Sequence, residues 1–263
     1  MRHSAVKGHP YNFKRLEGAE PFRAATTDGM TILPEVDPRG DRFMPAVFDQ
    51  GQLGSCTANA VEACFQRACG QHINRKARRR SRLDIYLGER LIEGQPADQD
   101  TGAYGHDGFT FLQQTGALLE ADWPYDISTF AGPAPAGHRL KLPATLPVRA
   151  VAQDEVQIRQ VLSNGQMVAF GFTVYDSFEA PATLQSGVVP MPGRFEQELG
   201  GHEVVAVGYL AAYPDHVLVR NSWGADVYQG LAGADVHGGG YFLFPWQYLL
   251  DPSLASDLRT IVV

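Results

Sequence analysis

The two halves of this chain have different hydrophobic periods, and this contrast restricts the fold more than any other feature. Apolar residues recur at helical spacing in 55–70, 82–92, 109–119 and 155–164. Short β-branched and aromatic runs bounded by turn residues then follow, at 167–174, 203–209, 217–220 and 240–244. Helices first and strands second predict an α+β fold with two lobes, one helical and one an antiparallel sheet or barrel.

Length and charge restrict the class of function. The chain has 263 residues, of which 44% are apolar and 19% charged, so it can bury a sizeable core as one compact unit or as two lobes around a cleft. The formal net charge of -7 argues against wholesale binding to nucleic acid or to an acidic membrane surface, since both need a positive field. A polypeptide or a small molecule is the expected partner.

No apolar run approaches the roughly 20 residues needed to span a bilayer, and the first thirty residues lack the apolar stretch of a signal peptide. The three cysteines are an odd number and include no Cys-x-x-Cys pair, so neither a disulfide framework nor a zinc site is predicted. No cofactor is predicted. These features favour a cytoplasmic protein in a reducing compartment.

Residues 1–32, called the leader below, are rich in Gly, Pro, Arg and Thr without a sustained period. Apolar side chains interrupt this polar segment at Tyr11, Phe13, Leu16 and Phe22. We expect the leader either to be disordered or to form a strap that partly covers the cleft and inhibits the protein itself. The main domain is expected over 33–263, with a helical lobe at about 46–130 and a β lobe at about 145–263.

Cys56 lies at the predicted start of the first helix, in the segment Gln50-Gly-Gln-Leu-Gly-Ser-Cys56. The positive end of a helix dipole favours thiolate over thiol, and thiolate is the form that attacks a carbonyl group. The preceding glycines let a substrate approach the backbone, so the Cys56 amide can point at a developing oxyanion, with Gln50 as a second donor. A lone cysteine in a helix is by default only a buried residue.

Two further segments favour the catalytic interpretation. His202 follows Gly200 and Gly201 and opens a hydrophobic strand, where the glycines leave a gap for a cysteine side chain or a substrate. Asn221 begins Asn-Ser-Trp-Gly at the end of another strand, and its carbonyl can accept the proton on the second imidazole nitrogen while Trp223 shields that bond. A structural histidine and a turn-forming asparagine are the default alternatives.

The order of Cys56, His202 and Asn221, with the histidine roughly 130 to 150 residues after the cysteine, is typical of papain-type enzymes. From about Leu33 to its C-terminus the chain resembles the papain family, and especially its short bacterial members. The motifs Gln-Gly-x-x-Gly-Ser-Cys, Gly-His-x-Val-x-x-Val-Gly-Tyr and Asn-Ser-Trp-Gly are jointly very specific. The resemblance implies a two-lobed papain-like fold, with a helical lobe, a β-barrel lobe and the active site between them.

The resemblance also implies roles for individual residues. Gln50 would be the oxyanion-hole glutamine, and Gly102 would offer backbone hydrogen bonds to the substrate. Ala103 and Tyr104 would stand near the pocket for the second residue before the scissile bond. Gly201 and Trp223 complete the expected substrate-binding set, which is Gly102, Ala103, Tyr104, Gly201 and Trp223.

The chain departs from the family pattern in two places that bear on the site. Thr57 replaces the usual aromatic residue after the nucleophile, and Leu53 replaces a cysteine that is normally in a disulfide. Residues 225–239 form an insertion before Gly240-Tyr241, without the second tryptophan usual there, and this insertion borders the leaving side of the cleft. The Thr57 and Leu53 replacements do not touch the predicted proton-transfer groups.

A cysteine endopeptidase is the leading hypothesis, with Cys56, His202, Asn221 and Gln50 as catalytic residues. A papain-fold binding protein without turnover, and an acyl transferase to amines, are the alternatives. The basic cluster at 74–82 could dock an anionic partner, although a solvated surface is the simpler interpretation.

Overall fold

The structure is a computed structural model that describes residues 11, 14, 29–227 and 239–263. Its helices are α1 (Cys56–His72), α2 (Arg82–Ile92), α3 (Gly105–Gln114), α4 (Glu155–Ser163), α5 (Pro181–Ser186) and α6 (Trp246–Leu250). Its strands are β1 (Val148–Ala150), β2 (Val168–Tyr175), β3 (Glu198–Gly208), β4 (His216–Arg220), β5 (Tyr241–Pro245) and β6 (Ala255–Ile261). No helix within these ranges combines the length and the apolar character that a bilayer crossing requires.

The strands form one antiparallel sheet in the order β1-β6-β2-β3-β4-β5. The predicted α+β fold is thus confirmed. In the described part of the chain the sheet is open, because β1 and β5 are its two edges and do not pair with each other. The long strand β3 lies near the middle of this sheet and supports one side of the cleft.

Both faces of the central strands are buried, which explains why these segments are continuous apolar runs. Successive strand side chains point to opposite faces. On β3, Val205 and Val207 join the cluster around α1, whereas Val204 and Ala206 join a second cluster on the other face. The same alternation continues on β4 and β5, so one sheet separates two hydrophobic cores.

The predicted helices differ from the observed ones mainly at their ends. α2 has the predicted bounds, and the Ser81 hydroxyl accepts a hydrogen bond from the Asp84 amide at its start (3.2 Å). α3 begins and ends earlier than the predicted 109–119. The helix ends where the Thr115 and Gly116 N–H groups both donate to the Phe111 carbonyl (2.9 and 2.8 Å), and Gly116 then turns the chain away with φ +83°, a backbone that favours glycine.

The edge strand β1 and its neighbour β6 were not predicted. Val148–Ala150 has only three residues, and the β6 sequence Ala-Ser-Asp-Leu-Arg-Thr-Ile lacks a regular apolar alternation. Asp257 even adopts φ +57° within β6. Pairing with neighbouring strands, rather than local propensity, defines these two elements.

The basic cluster at 74–82 is only partly a solvated surface. Arg75, Lys76 and Arg78 are exposed, as predicted for such a surface. Arg82 is instead buried, and it donates to Asn59 Oδ1 (2.9 Å) and to the Glu120 carboxylate (2.6 Å). The last part of the cluster therefore fastens α2 to its neighbours.

Candidate active site

Cys56 is the first residue of α1, as predicted, and its side chain is fully buried. The loop before it is fixed by Asp100, whose carboxylate oxygens accept the Gly54 N–H (3.1 and 3.0 Å) and the Tyr86 hydroxyl. The Tyr86 hydroxyl also accepts the Gly102 N–H (3.0 Å). Asp100 and Tyr86 thus hold the loop before Cys56 and the predicted substrate-binding segment in one arrangement.

His202 and Asn221 are brought together from β3 and the end of β4. His202 Nε2 lies 2.8 Å from Asn221 Oδ1, and the Ser222 backbone N–H donates to the same oxygen at 2.8 Å. Because the backbone donor identifies this atom as the amide oxygen, which only accepts, Nε2 carries the proton of the imidazole. The predicted hydrogen bond between the Asn221 oxygen and the imidazole is therefore present, and it uses Nε2 rather than Nδ1.

Aromatic side chains enclose this histidine. The Trp223 ring is fully buried with its centroid 5.1 Å from that of His202, and Phe172 lies edge-on to the imidazole at 5.9 Å. β2 pairs Phe172 directly opposite His202. Here β3 differs from the prediction, since it already begins at Glu198 and places His202 within the strand rather than at its mouth.

Gln50 is buried beside the same segment. Its Oε1 accepts the Ser222 hydroxyl (2.6 Å), and its Nε2 donates to the Leu53 carbonyl (3.0 Å). Its backbone N–H donates to the Ser222 carbonyl (2.8 Å). The orientation of the amide is therefore determined, and Leu53 takes one of the two N–H donors that a glutamine amide has.

The predicted substrate-binding segment Gly102–Tyr104 contacts the leader. Gly102 adopts φ +68°, a backbone that favours glycine. The Ala103 carbonyl accepts the Lys14 backbone N–H (3.2 Å), and the Tyr104 N–H donates to Glu93 Oε1 (2.8 Å). The Ala103 carbonyl, next to the Gly102 backbone that we expected to meet a substrate, thus bonds residue 14.

Tyr11 lies on the other side of the cleft. Its ring centroid is 6.2 Å from that of His202 and 6.0 Å from that of Trp223, and its hydroxyl donates to Glu179. Gly200, one of the two glycines expected to leave a gap before His202, provides space for Tyr11. A Cβ there would lie 2.8 Å from the Tyr11 Cβ and carbonyl oxygen.

At residues 11 and 14, therefore, the leader contacts the body of the domain. The predicted anchors Phe13, Leu16 and Phe22 lie outside the described residues, as does most of the predicted insertion, 228–238. Tyr11 is only 5% exposed, so at least this anchor is a buried part of the domain.

The environment of Cys56 differs from the expectation of a thiolate. Burial, first, and the negative charge of Glu203, second, raise the pKa of the Cys56 thiol, while the backbone amides of Glu203 and Thr57 hydrogen-bond the sulfur and lower it. Burial prevails here. A raised pKa favours the thiol over the thiolate.

Glu203 is a buried acid that the sequence interpretation overlooked, although it directly follows His202. The alternation of β3 turns it away from the histidine toward α3, where a Cβ on Gly105 would lie only 2.2 Å from its carboxylate oxygens. Burial, first, and the nearby Asp257 and Glu89 charges raise the pKa of Glu203, while Arg259 lowers it. Among the described residues, no group hydrogen-bonds its Oε2.

We predict that Glu203→Gln stabilises the protein at neutral pH. A carboxyl whose folded pKa is raised gives stability that is complete below its unfolded pKa of about 4.3 and is lost as pH rises toward the folded value. The variant should therefore gain about 1 to 3 kcal/mol in the free energy of unfolding at pH 7.5, and almost nothing at pH 4. Urea unfolding at both pH values measures this, with exposed Glu198→Gln on the same strand as the control. An equal gain at both pH values would contradict it.

The fold and the site together define a class of protein. A helical part and an antiparallel sheet contribute, respectively, a cysteine at a helix start and a hydrogen-bonded His–Asn pair under a tryptophan. The Papain family cysteine protease model matches residues 33–231. The chain therefore belongs to the papain family and is a cysteine peptidase.

Individual relatives agree with this assignment. The structure is similar to that of xylellain, a cysteine protease from Xylella fastidiosa, with 30% identity, a TM-score of 0.79, and coverage of 99% of this chain and 97% of that one. A peptidase C1-like protein of Acanthamoeba polyphaga mimivirus is 35% identical over 81% of this chain and 68% of its own length.

A more distant structure, digestive procathepsin L 3 of Tenebrio molitor larval midgut, has 16% identity and a TM-score of 0.68. The aligned region covers 93% of this chain and 75% of the procathepsin chain. This likeness concerns the fold alone.

Proposed function

We propose that the chain hydrolyses peptide bonds through Cys56, His202 and Asn221. The observation that supports this most strongly is the buried 2.8 Å contact between His202 Nε2 and Asn221 Oδ1, which leaves Nδ1 for proton exchange with a thiol. Asn221 would orient the imidazole and hold its tautomer, and Trp223 would exclude water from that contact.

The proposed reaction has two stages. The Cys56 proton passes to His202, the sulfur bonds to the substrate carbonyl carbon, and the oxyanion accepts hydrogen bonds from the Cys56 amide and from the second N–H of Gln50. The C–N bond then breaks as His202 returns the proton to the leaving amine. Water attacks the acyl-enzyme, which releases a carboxylic acid and restores the thiol.

We further propose that the leader restrains this activity. Tyr11 lies against His202 and Trp223, and Lys14 bonds the Ala103 carbonyl on the other side of the cleft. A substrate would run from the Ala103 side toward the leaving side near Trp223. The leader passes from Tyr11 to Lys14 in the opposite direction, so it can occupy the cleft without presenting a bond in the productive orientation.

Thiol labelling tests both parts of the proposal. Because burial raises the pKa of Cys56 in the covered cleft, we expect iodoacetamide to label Cys56 slowly at pH 7 to 8 in the full chain. Tyr11→Ala should uncover the sulfur, lower its apparent pKa and raise the labelling rate about tenfold or more. Cys64 and Cys69 serve as internal controls, since burial also raises the pKa of both.

The measurement is peptide mapping by mass spectrometry over a range of pH, together with hydrolysis of a fluorogenic peptide library. Equal labelling of all three cysteines in Tyr11→Ala would contradict a special nucleophile. Turnover that survives Cys56→Ala would contradict the mechanism itself.

A further inference from the structure

Lys14 binds the body of the protein through its backbone and its side chain together. Its backbone N–H donates to the Ala103 carbonyl (3.2 Å), and its ammonium group forms an ion pair with Glu93. The same ammonium group lies 5.7 Å from the centroid of the Tyr104 ring. One residue of the leader thus makes the kinds of contact that a residue of a bound peptide would make.

The surface that receives this side chain, formed by Glu93, Tyr104 and Asp107, is called the acidic pocket below. Glu93 follows α2, and its two carboxylate oxygens are divided between the Tyr104 N–H (2.8 Å) and the Lys14 ammonium. Its side chain is only 7% exposed beneath Lys14. The Glu93 carboxylate is therefore held in place before any ligand arrives.

Asp107 adds a second carboxyl group from the first turn of α3. Burial, first, raises the pKa of Asp107, and the charge of Glu93 adds to this, whereas His106 and Lys14 lower it. His106 Nε2 lies 3.2 Å from Asp107 Oδ1, and its Nδ1 lies 3.5 Å from Asp257 Oδ2, so His106 is shared between two acids. Asp107 is thus a second carboxyl group close enough to Lys14 for the ammonium charge to lower its pKa.

Resting on the proposed peptidase function, we propose that the acidic pocket is a specificity site for a lysine or arginine side chain of the substrate. This basic residue would be the second residue of the substrate before the scissile bond. Its backbone N–H would bond the Ala103 carbonyl, as the Lys14 N–H does in the resting chain. Lys14 occupies the pocket in the resting chain and is displaced by such a substrate.

The physical reason is the cost of covering Glu93 with an apolar group. An apolar side chain would remove water from a carboxylate that is already largely buried and would offer no charge or donor in return. A hydrogen bond to a charged group is worth about tenfold or more in binding. The aromatic face of Tyr104 adds attraction for a cation.

The first test compares two fluorogenic peptides that differ only in lysine or norleucine at this residue, so that only the ammonium group changes. We expect the full chain to favour lysine at least tenfold in kcat/KM. Both peptides must displace the same leader, so its occupancy cancels from their ratio. Glu93→Gln, which keeps an acceptor for the Tyr104 N–H, should lower the ratio at least fivefold, and Asp107→Asn should lower it less.

The matched control is Glu155→Gln on α4, which changes the net charge equally but pairs with Arg159. It should leave the ratio unchanged. A wild-type preference for norleucine, or a ratio that Glu93→Gln does not alter, would overturn the specificity proposal. Failure of both peptides in the wild type and in Tyr11→Ala would instead overturn the proposed peptidase function.

A second test needs no turnover, because the leader itself presents a side chain to the pocket. In the full chain, Lys14→Arg should leave the rate of Cys56 alkylation by iodoacetamide near the wild-type rate, whereas Lys14→Leu should raise it at least fivefold. In a Glu93→Gln background the difference between the two variants should largely disappear. If Cys56 is alkylated as slowly in Lys14→Leu as in the wild type, the pocket has no preference for a cation and the proposal is wrong.

Discussion

Replacing His202 with alanine is expected to lower kcat/KM for a peptide substrate by about 10³-fold, since proton transfer by a positioned group is worth roughly 10² to 10⁴. Asn221→Ala should lose less, about 10- to 100-fold, because the role we propose for Asn221 is to orient the ring without exchanging a proton. His202 Nε2 forms a 2.8 Å hydrogen bond with Asn221 Oδ1, so Asn221→Ala mainly allows the imidazole ring to rotate. Steady-state kinetics on a fluorogenic peptide measures both losses.

The matched control is His72→Ala at the exposed end of α1, where His72 Nε2 lies 3.4 Å from the Thr145 hydroxyl. This variant should keep wild-type kinetics. Thermal unfolding must show that the two site variants remain folded. The bell-shaped pH profile expected for a paired thiol and imidazole should also narrow or shift in Asn221→Ala. If Asn221→Ala matched the wild type across the pH range, the orienting role would be wrong.

Releasing the leader is expected to raise the activity of the full chain at least tenfold. Tyr11 is 5% exposed, so Tyr11→Ala removes most of a buried aromatic contact, a change that typically costs about 3 to 5 kcal/mol in a core. Only part of that free energy must favour the open cleft to change the active fraction tenfold. Tyr11→Phe, which loses only the hydroxyl bond to Glu179, should have a smaller effect.

The measurement is kcat/KM per titrated active site, with exposed Tyr213→Ala as the control. A chain that starts near Thr31 should behave like Tyr11→Ala if the leader only covers the cleft. A truncated chain that fails to fold would indicate a structural strap. Equal rates for folded wild type and folded Tyr11→Ala would contradict inhibition by the leader.

The elements that local sequence specifies were predicted well. α2 needed only an apolar stripe and the Ser81 cap, and α4 needed only the Asp154 cap, whose side chain accepts the Gln157 N–H (2.9 Å). The motif around Cys56 likewise predicted a cysteine at a helix start. These features depend on interactions within one or two turns, which the order of residues determines directly.

The shape and electrostatics of the site depend on distant parts of the chain. β6 was missed because β1 and β2 define it by pairing, and its Asp257 then lies close enough to raise the pKa of Glu203. Burial opposes the thiolate that the helix start was expected to favour at Cys56. A sequence motif predicts neither pKa shift, since the charge of Asp257 at Glu203 and the burial of Cys56 both arise from the packing of distant segments.

The sequence by itself determined the family and the α+β class, and it singled out Cys56, His202 and Asn221 as the proposed catalytic residues, because spacing and motifs preserve that information. Only the tertiary structure decided that Tyr11 lies against His202, that Lys14 meets Glu93, and that Glu203 faces α3. The physical reason is that burial and charge pairing arise between residues far apart in sequence, where neither periodicity nor local propensity acts.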